Sequence, residues 1–175
     1  MKKILTILLV FIILPLSGCG RDSEEVGSSP ENPVPIGEYV DICPGNREVQ
    51  LCITEVISGE EAKRLVDTDN DLVIVKFKLK AVSLKGKRFS ASPYQFMILN
   101  NGTIESASIF DLKNILDLPN LGIDTFVTEG EIDCKAIFWV DINYCRCLQY
   151  NIKNPIYFAI RENAAIETVK ASTDN

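Results

Sequence analysis

The chain has 175 residues, 46% hydrophobic and 24% charged, with a formal net charge of −6. That length provides for one ordinary domain with a single core. The acidic balance argues against nucleic acid or an anionic membrane as a direct partner of the domain. The absence of histidine excludes a Ser-His-Asp triad, a Cys-His dyad and any His-ligated metal centre.

Met1-Lys2-Lys3 precedes an apolar run from Ile4 to Leu16, broken by Thr6 and Pro15. A cationic start, a short apolar stretch and small residues before a cut site make a secretory signal peptide. The run is too short for a span, which needs about 20 apolar residues. Leu16-Ser17-Gly18-Cys19 resembles the bacterial lipobox, in which a small residue precedes a cysteine that is diacylated and becomes the new N-terminus. Lipidation is therefore expected at Cys19, holding the protein on the extracytoplasmic face of the cell membrane through acyl chains that meet the two-signal requirement.

This divides the chain into a lipoprotein signal peptide (1–18), a lipid-anchored flexible linker (19–36), a folded domain (37–163) and a weakly ordered tail (164–175). The linker reading rests on GRDSEEVGSSPENPVPI, whose Gly, Ser, Pro and Glu bury too little apolar area to offset ordering.

With Cys19 assigned to lipid, Cys43, Cys52, Cys134, Cys145 and Cys147 remain. An odd number leaves at least one thiol unpaired within a monomer. One or two structural disulfides suit an extracytoplasmic protein, but their pairing is not legible from sequence. Cys145-Arg146-Cys147 raises a thiol-responsive reading. On a strand, residues i and i+2 face the same way about 7 Å apart, at the limit for a direct bridge.

From Arg47 to Ile57, Val49, Leu51 and Ile53 recur at period two. Asp71 to Ser83 is the clearest strand, with Val73, Val75, Phe77 and Leu79 on one face and Lys76, Lys78 and Lys80 on the other. Such alternation describes one dry and one wet sheet face, so the lysines are expected to be a solvated strand face. Tyr94 to Asn100 is a further strand, and Asn101-Gly102 is a hairpin turn signal before Thr103 and Ile104. Ile132 to Val140 is apolar on both faces, as for a central strand. A last strand runs from Ile156 to Arg161 after Pro155.

One helical pattern appears in SIFDLKNILDLP. Ser108 and Asp111 fit an S-x-x-D cap, Ile109, Leu112 and Leu116 share a face, and Pro119 follows. Together these elements predict an all-β antiparallel sandwich with one short helix covering the end of a sheet.

Candidate chemistry is sparse. Asp67, Asp69 and Asp71 alternate as calcium ligands do, but Leu72 and Lys78 stand where an EF-hand loop needs Gly and Glu. The expectation is an acidic loop and no metal site. Glu60 with Glu61, or Glu129 with Glu131, are acid pairs for a carboxylate-dependent hydrolase, with no nucleophile–base signature beside them. No catalytic residue, cofactor-binding residue or cofactor is assigned.

Gly37 opens a strand, Phe96, Ile98 and Gly102 follow an F-x-I-x-x-x-G run, and Thr128-Glu129-Gly130-Glu131-Ile132 leads into Ala136-Ile137-Phe138-Trp139-Val140. In this order of elements residues 37–161 resemble the immunoglobulin-like extracellular domain of unknown function found on Gram-positive bacterial lipoproteins. That domain has the fold of a secreted mycobacterial immunoprotective antigen. The resemblance implies a β-sandwich outside the membrane, no established enzyme activity and no catalytic residues. The chain departs from it at Asp141-Ile142-Asn143-Tyr144, where members often carry a proline, and in its cysteines. The expected function is a non-catalytic binding or adaptor module for an envelope protein, a wall polymer or a small ligand. The alternatives are a thiol-responsive envelope protein using Cys145 and Cys147, or the carboxylate-dependent hydrolase.

Overall fold

The computed structural model describes residues 25–43, 48–100, 103–107, 115–120 and 126–161. Two four-stranded antiparallel sheets face each other. The first has the order β1 (Tyr39–Asp41), β2 (Glu48–Ser58), β3 (Val73–Ser83), β6 (Gly130–Phe138). The second has the order β5 (Thr103–Ser106), β4 (Phe96–Asn100), β7 (Cys145–Tyr150), β8 (Ile156–Phe158). The expected β-sandwich is the observed fold.

Period-two patterning places the core. Val73, Val75, Phe77 and Leu79 of β3 are fully buried, because successive side chains of a strand point to opposite faces. They meet Val49, Leu51 and Ile53 of β2 and, from the second sheet, Phe96, Ile98, Leu148, Tyr150 and Phe158. Phe77 meets Phe96 edge-on with centroids 5.1 Å apart, and Phe96 tilts against Tyr150 at 4.9 Å. These three rings tie the sheets together.

On the outer face of the first sheet, Lys76 pairs with Glu55 at 2.6 Å, while Lys78 and Lys80 lie 3.9 and 3.8 Å from Glu131. The lysine row is thus a half-exposed strand face with acidic neighbours. Pairs this exposed contribute about 0–1 kcal/mol each.

Strand β6 is not central. It is the edge of the first sheet, and its free edge is taken by the segment 118–120. The Lys135 amide donates to the Pro119 carbonyl at 3.0 Å, and the buried Lys135 Nζ donates to the Leu118 carbonyl. Its two apolar faces have a different cause. Ile137 packs with Ile57, Ala62, Leu72 and Ile74 in a satellite core on the outer face, capped by helix α1 (Gly59–Val66).

The pattern around Ser108 is not the helix that is described. Residues 108–114 lie outside the described residues, and 115–117 form a single 3₁₀ turn whose Leu116 and Asp117 have φ of 63° and 50°. Helix α1 covers the sheet end, with Leu116 packed against the same satellite core.

The linker expectation is corrected from residue 25 onward. Val34 is 2% exposed and belongs to the main core. Its amide donates to the Tyr157 carbonyl at 2.7 Å and its carbonyl accepts from the Ala159 amide at 2.8 Å, so it runs parallel to β8. Glu31 pairs with Arg146 on β7. Polar composition misleads here because a few long-range contacts, through Val34 above all, anchor the segment. The signal peptide, Cys19 and the tail from 164 lie outside the described residues. Among the described residues, no helix is long and apolar enough to cross a membrane.

Candidate functional site

The expected calcium loop follows α1. Asp67 is the helix C-cap in the left-handed region (φ 57°), its amide turned back to the Lys63 carbonyl. The Thr68 amide donates to that same carbonyl at 3.1 Å, and the Asn70 amide donates to Thr68 Oγ1 at 3.2 Å. Asp71 leaves the row to pair with Lys63 at 2.8 Å, which raises the Lys63 ammonium above its ordinary value. Among the described residues, no three His, Cys, Asp or Glu side chains converge as a metal site. Of the three carboxylates, Asp71 is the one paired with Lys63.

Beside this loop lies a shallow groove of about 290 Å³ lined by Glu60, Lys63, Arg64, Asp67, Thr68 and Asp69. Its carboxylates stand among two cations, and Lys63 lies 3.6 Å from Glu60. Glu61 does not line it. The other acid pair is divided as well: Glu131 sits between Lys78 and Lys80 on β6, and Glu129 is exposed ahead of Gly130. Acid–base hydrolysis needs two carboxyl groups flanking one bond. In each pair one carboxyl is held near lysine, Glu60 by Lys63 and Glu131 by Lys78 and Lys80.

Among the described residues, Cys43, Cys52, Cys134, Cys145 and Cys147 are free thiols, not the one or two disulfides expected. Cys134 lies in the main core beside Phe77, and burial lifts its thiol from an ordinary 9.0 to about 12. The Cys145-Arg146-Cys147 step differs from the regular strand expected for it. Leu99 pairs with Cys147 but Asn100 pairs with Cys145, so the register shifts here and Arg146 is the extra residue of a β-bulge. The bulge turns Cys145 into the main core alongside Leu148 and Tyr150. Cys147, equally buried, stays outside that cluster. The two thiols are thereby placed apart in environment despite their spacing in sequence.

Burial raises both thiols to about 11. At neutral pH roughly one in ten thousand of either is then thiolate, whereas redox-sensing cysteines are exposed and acidic. Cys145 Sγ donates to the Asp141 carbonyl at 3.2 Å, and the nearby Arg161 charge only partly offsets its burial. The geometry gives no support to a thiol-responsive site. A direct check follows: at pH 8 the folded domain should show one fast thiol toward dithionitrobenzoate, the half-buried Cys43, and all five of these only after denaturation. Rapid reaction of Cys145 and Cys147 in the native state would restore that reading.

Sequence reasoning missed one arrangement. At the end of the second sheet where β7 turns into β8, Tyr94 and Ile152 are 64% and 69% exposed. The signal was present as two large apolar residues beside Pro93 and Asn151, but only the pairing of β4 with β7 brings them together.

No protein-family model and no curated protein matches the chain. Among solved structures, it is similar to the crystal structure of MPT63, a secreted protein from Mycobacterium tuberculosis, with 11% identity and a TM-score of 0.50. The likeness covers 72% of this chain and 96% of that one. At that identity it speaks for the fold, and the fold is an all-β, immunoglobulin-like sandwich.

Proposed function

We propose that this protein is a membrane-anchored extracytoplasmic lipoprotein of the Gram-positive type whose β-sandwich serves as a non-catalytic binding or adaptor module. Its partner would be an envelope protein, a wall polymer or a small ligand. The observation that carries the reading is a single sandwich, similar in fold to a secreted protein, directly preceded by Met1-Lys2-Lys3, an apolar run and Leu16-Ser17-Gly18-Cys19. Two acyl chains on Cys19 suffice for stable anchoring. Carboxylates compensated by lysine and thiols raised by burial support a binding role over chemistry.

The anchoring half is tested in cells. Full-length protein should fractionate with membranes and carry a diacylglyceryl adduct on Cys19 by mass spectrometry. A Cys19→Ser variant should lose the adduct and remain joined to residues 1–18. An unmodified Cys19 in the mature wild type overturns the reading. The binding half is tested by crosslinking in intact envelopes, where recovery of no specific partner counts against it.

A further inference from the structure

Among the described residues the packed body reaches back to residue 25, ahead of Gly37, and this limits the reach of the anchor. Six residue steps separate Cys19 from Glu25. At no more than about 3.3–3.6 Å per residue they span roughly 20 Å. The point where the chain enters the sandwich must therefore lie within that distance of the lipid surface.

That entry point has a defined place in the fold. The Tyr157 amide donates to the Gly27 carbonyl at 2.9 Å, and Val26 shares a groove with Pro155 and Ile156. The chain thus enters where β7 turns into β8. Tyr94 and Ile152 project from this same end, because the Asn151 amide donates to the Gln95 carbonyl at 2.8 Å, just beyond the Phe96–Tyr150 pair.

Both side chains are held on short, braced turns. The Ser92 amide donates to Gln95 Oε1 at 3.0 Å, fixing the Pro93–Gln95 turn that carries Tyr94. Asn151, with φ 65°, receives the Lys153 amide on Oδ1 at 3.1 Å and the Gln149 side-chain amide on its carbonyl at 3.0 Å. Ile152 projects from that brace, with exposed Lys153 beside it and Val26 half-exposed nearby.

A tyrosine, aliphatic side chains and a lysine at one end match the chemistry of the bilayer interface. Tyrosine's amphipathic ring sits at headgroup level, and lysine keeps its charge in water while its stem lies on apolar surface. Two apolar side chains alone bind a membrane weakly, but a short tether raises the local concentration to the millimolar range. Trp139 and Tyr144 are also exposed, but they lie at the far end of β7, about 17 Å away along the strand.

We propose that the lipid-anchored domain docks end-on against the bilayer surface, seating Tyr94 and Ile152 at the interface and turning Trp139 and Tyr144 outward to a partner. This rests on lipidation of Cys19 as proposed above.

The test uses protein expressed from the full-length sequence in a lipidating host and mixed with phosphatidylcholine vesicles whose acyl chains are brominated near the headgroup. Trp139 is the single tryptophan and reports the outward end; a Tyr94→Trp, Trp139→Phe double variant reports the docked end. Fluorescence quenching of the double variant by about twofold or more is expected, against less than about 1.2-fold for the wild type, as an interfacial position demands. Adding Ile152→Asp to the double variant should remove its quenching while the protein still floats with the vesicles. Protein that floats with a modified Cys19, yet whose double variant is quenched no more than the wild type, overturns the docking and leaves the anchor standing. Protein that does not float and carries no lipid overturns both.

Discussion

Replacing Phe96 by alanine is expected to lower the unfolding free energy by about 3–5 kcal/mol, a large part of an ordinary domain's roughly 5–15 kcal/mol. Phe96 is fully buried and stands between the sheets, edge-on to Phe77 at 5.1 Å and tilted on Tyr150 at 4.9 Å. Truncation removes two aromatic contacts, each worth about 0.5–1.5 kcal/mol beyond area burial, and leaves a cavity rigid strands cannot close. Urea unfolding should show a lower midpoint with an unchanged slope. Tyr94→Ala, two residues away and 64% exposed, should change stability by no more than about 0.5 kcal/mol. Equal effects at the two positions would contradict the sandwich core described above.

The second large effect is alkaline. Burial raises Cys134 to about 12 and Cys145 and Cys147 to about 11, each from an ordinary 9.0. In the unfolded chain these thiols ionise from about pH 9 upward, while in the folded domain they keep their protons to about 11. Between those values the unfolded state binds fewer protons, so stability falls as pH rises; below about pH 9 it is fully present. Each thiol contributes about 1.4 kcal/mol per pH unit, so the three together give a slope of about 4. Tyr150, raised by burial to about 12, adds to the fall above about pH 10. Urea titrations at pH 8, 9.5 and 10.5 under reductant measure the slope, and Cys134→Ala should reduce it by about 1.4 kcal/mol per pH unit. A stability level from pH 8 to 11 would falsify the buried-thiol assignment.

The strands most legible in sequence are those with uninterrupted alternation. β3 reads directly because Val73, Val75, Phe77 and Leu79 keep period two through the whole core-facing stretch. β7 is not legible because its bulge breaks that period: Cys145 and Leu148 are core-facing, three residues apart. Helix α1 leaves no usable pattern, since only Ala62 of its eight residues is buried and Ser58 makes no side-chain cap bond. Residues 25–36 read as a linker because their anchoring is through contacts with β7 and β8, far away in sequence.

Candidate chemistry follows the same division. Spacing alone brings Asp67, Asp69 and Asp71 together as potential ligands, and Cys145 with Cys147 as a potential pair. Lys63, approaching from the helix, draws Asp71 aside, and one extra residue in β7 separates the thiols.

What the residues determined by themselves is the set of dry faces: alternation is local, because each residue's side alternates with that of the next. From this follow the strands and the sandwich class. Tertiary structure alone decided which strands are edges, where the chain enters the packed body, and what each thiol and carboxylate faces. Those depend on neighbours distant in sequence, whose burial and charge no local pattern records. That is why Val34, written in a polar stretch, lies in the core, while Tyr94 and Ile152, written beside core strands, stand exposed at the end where β7 turns into β8.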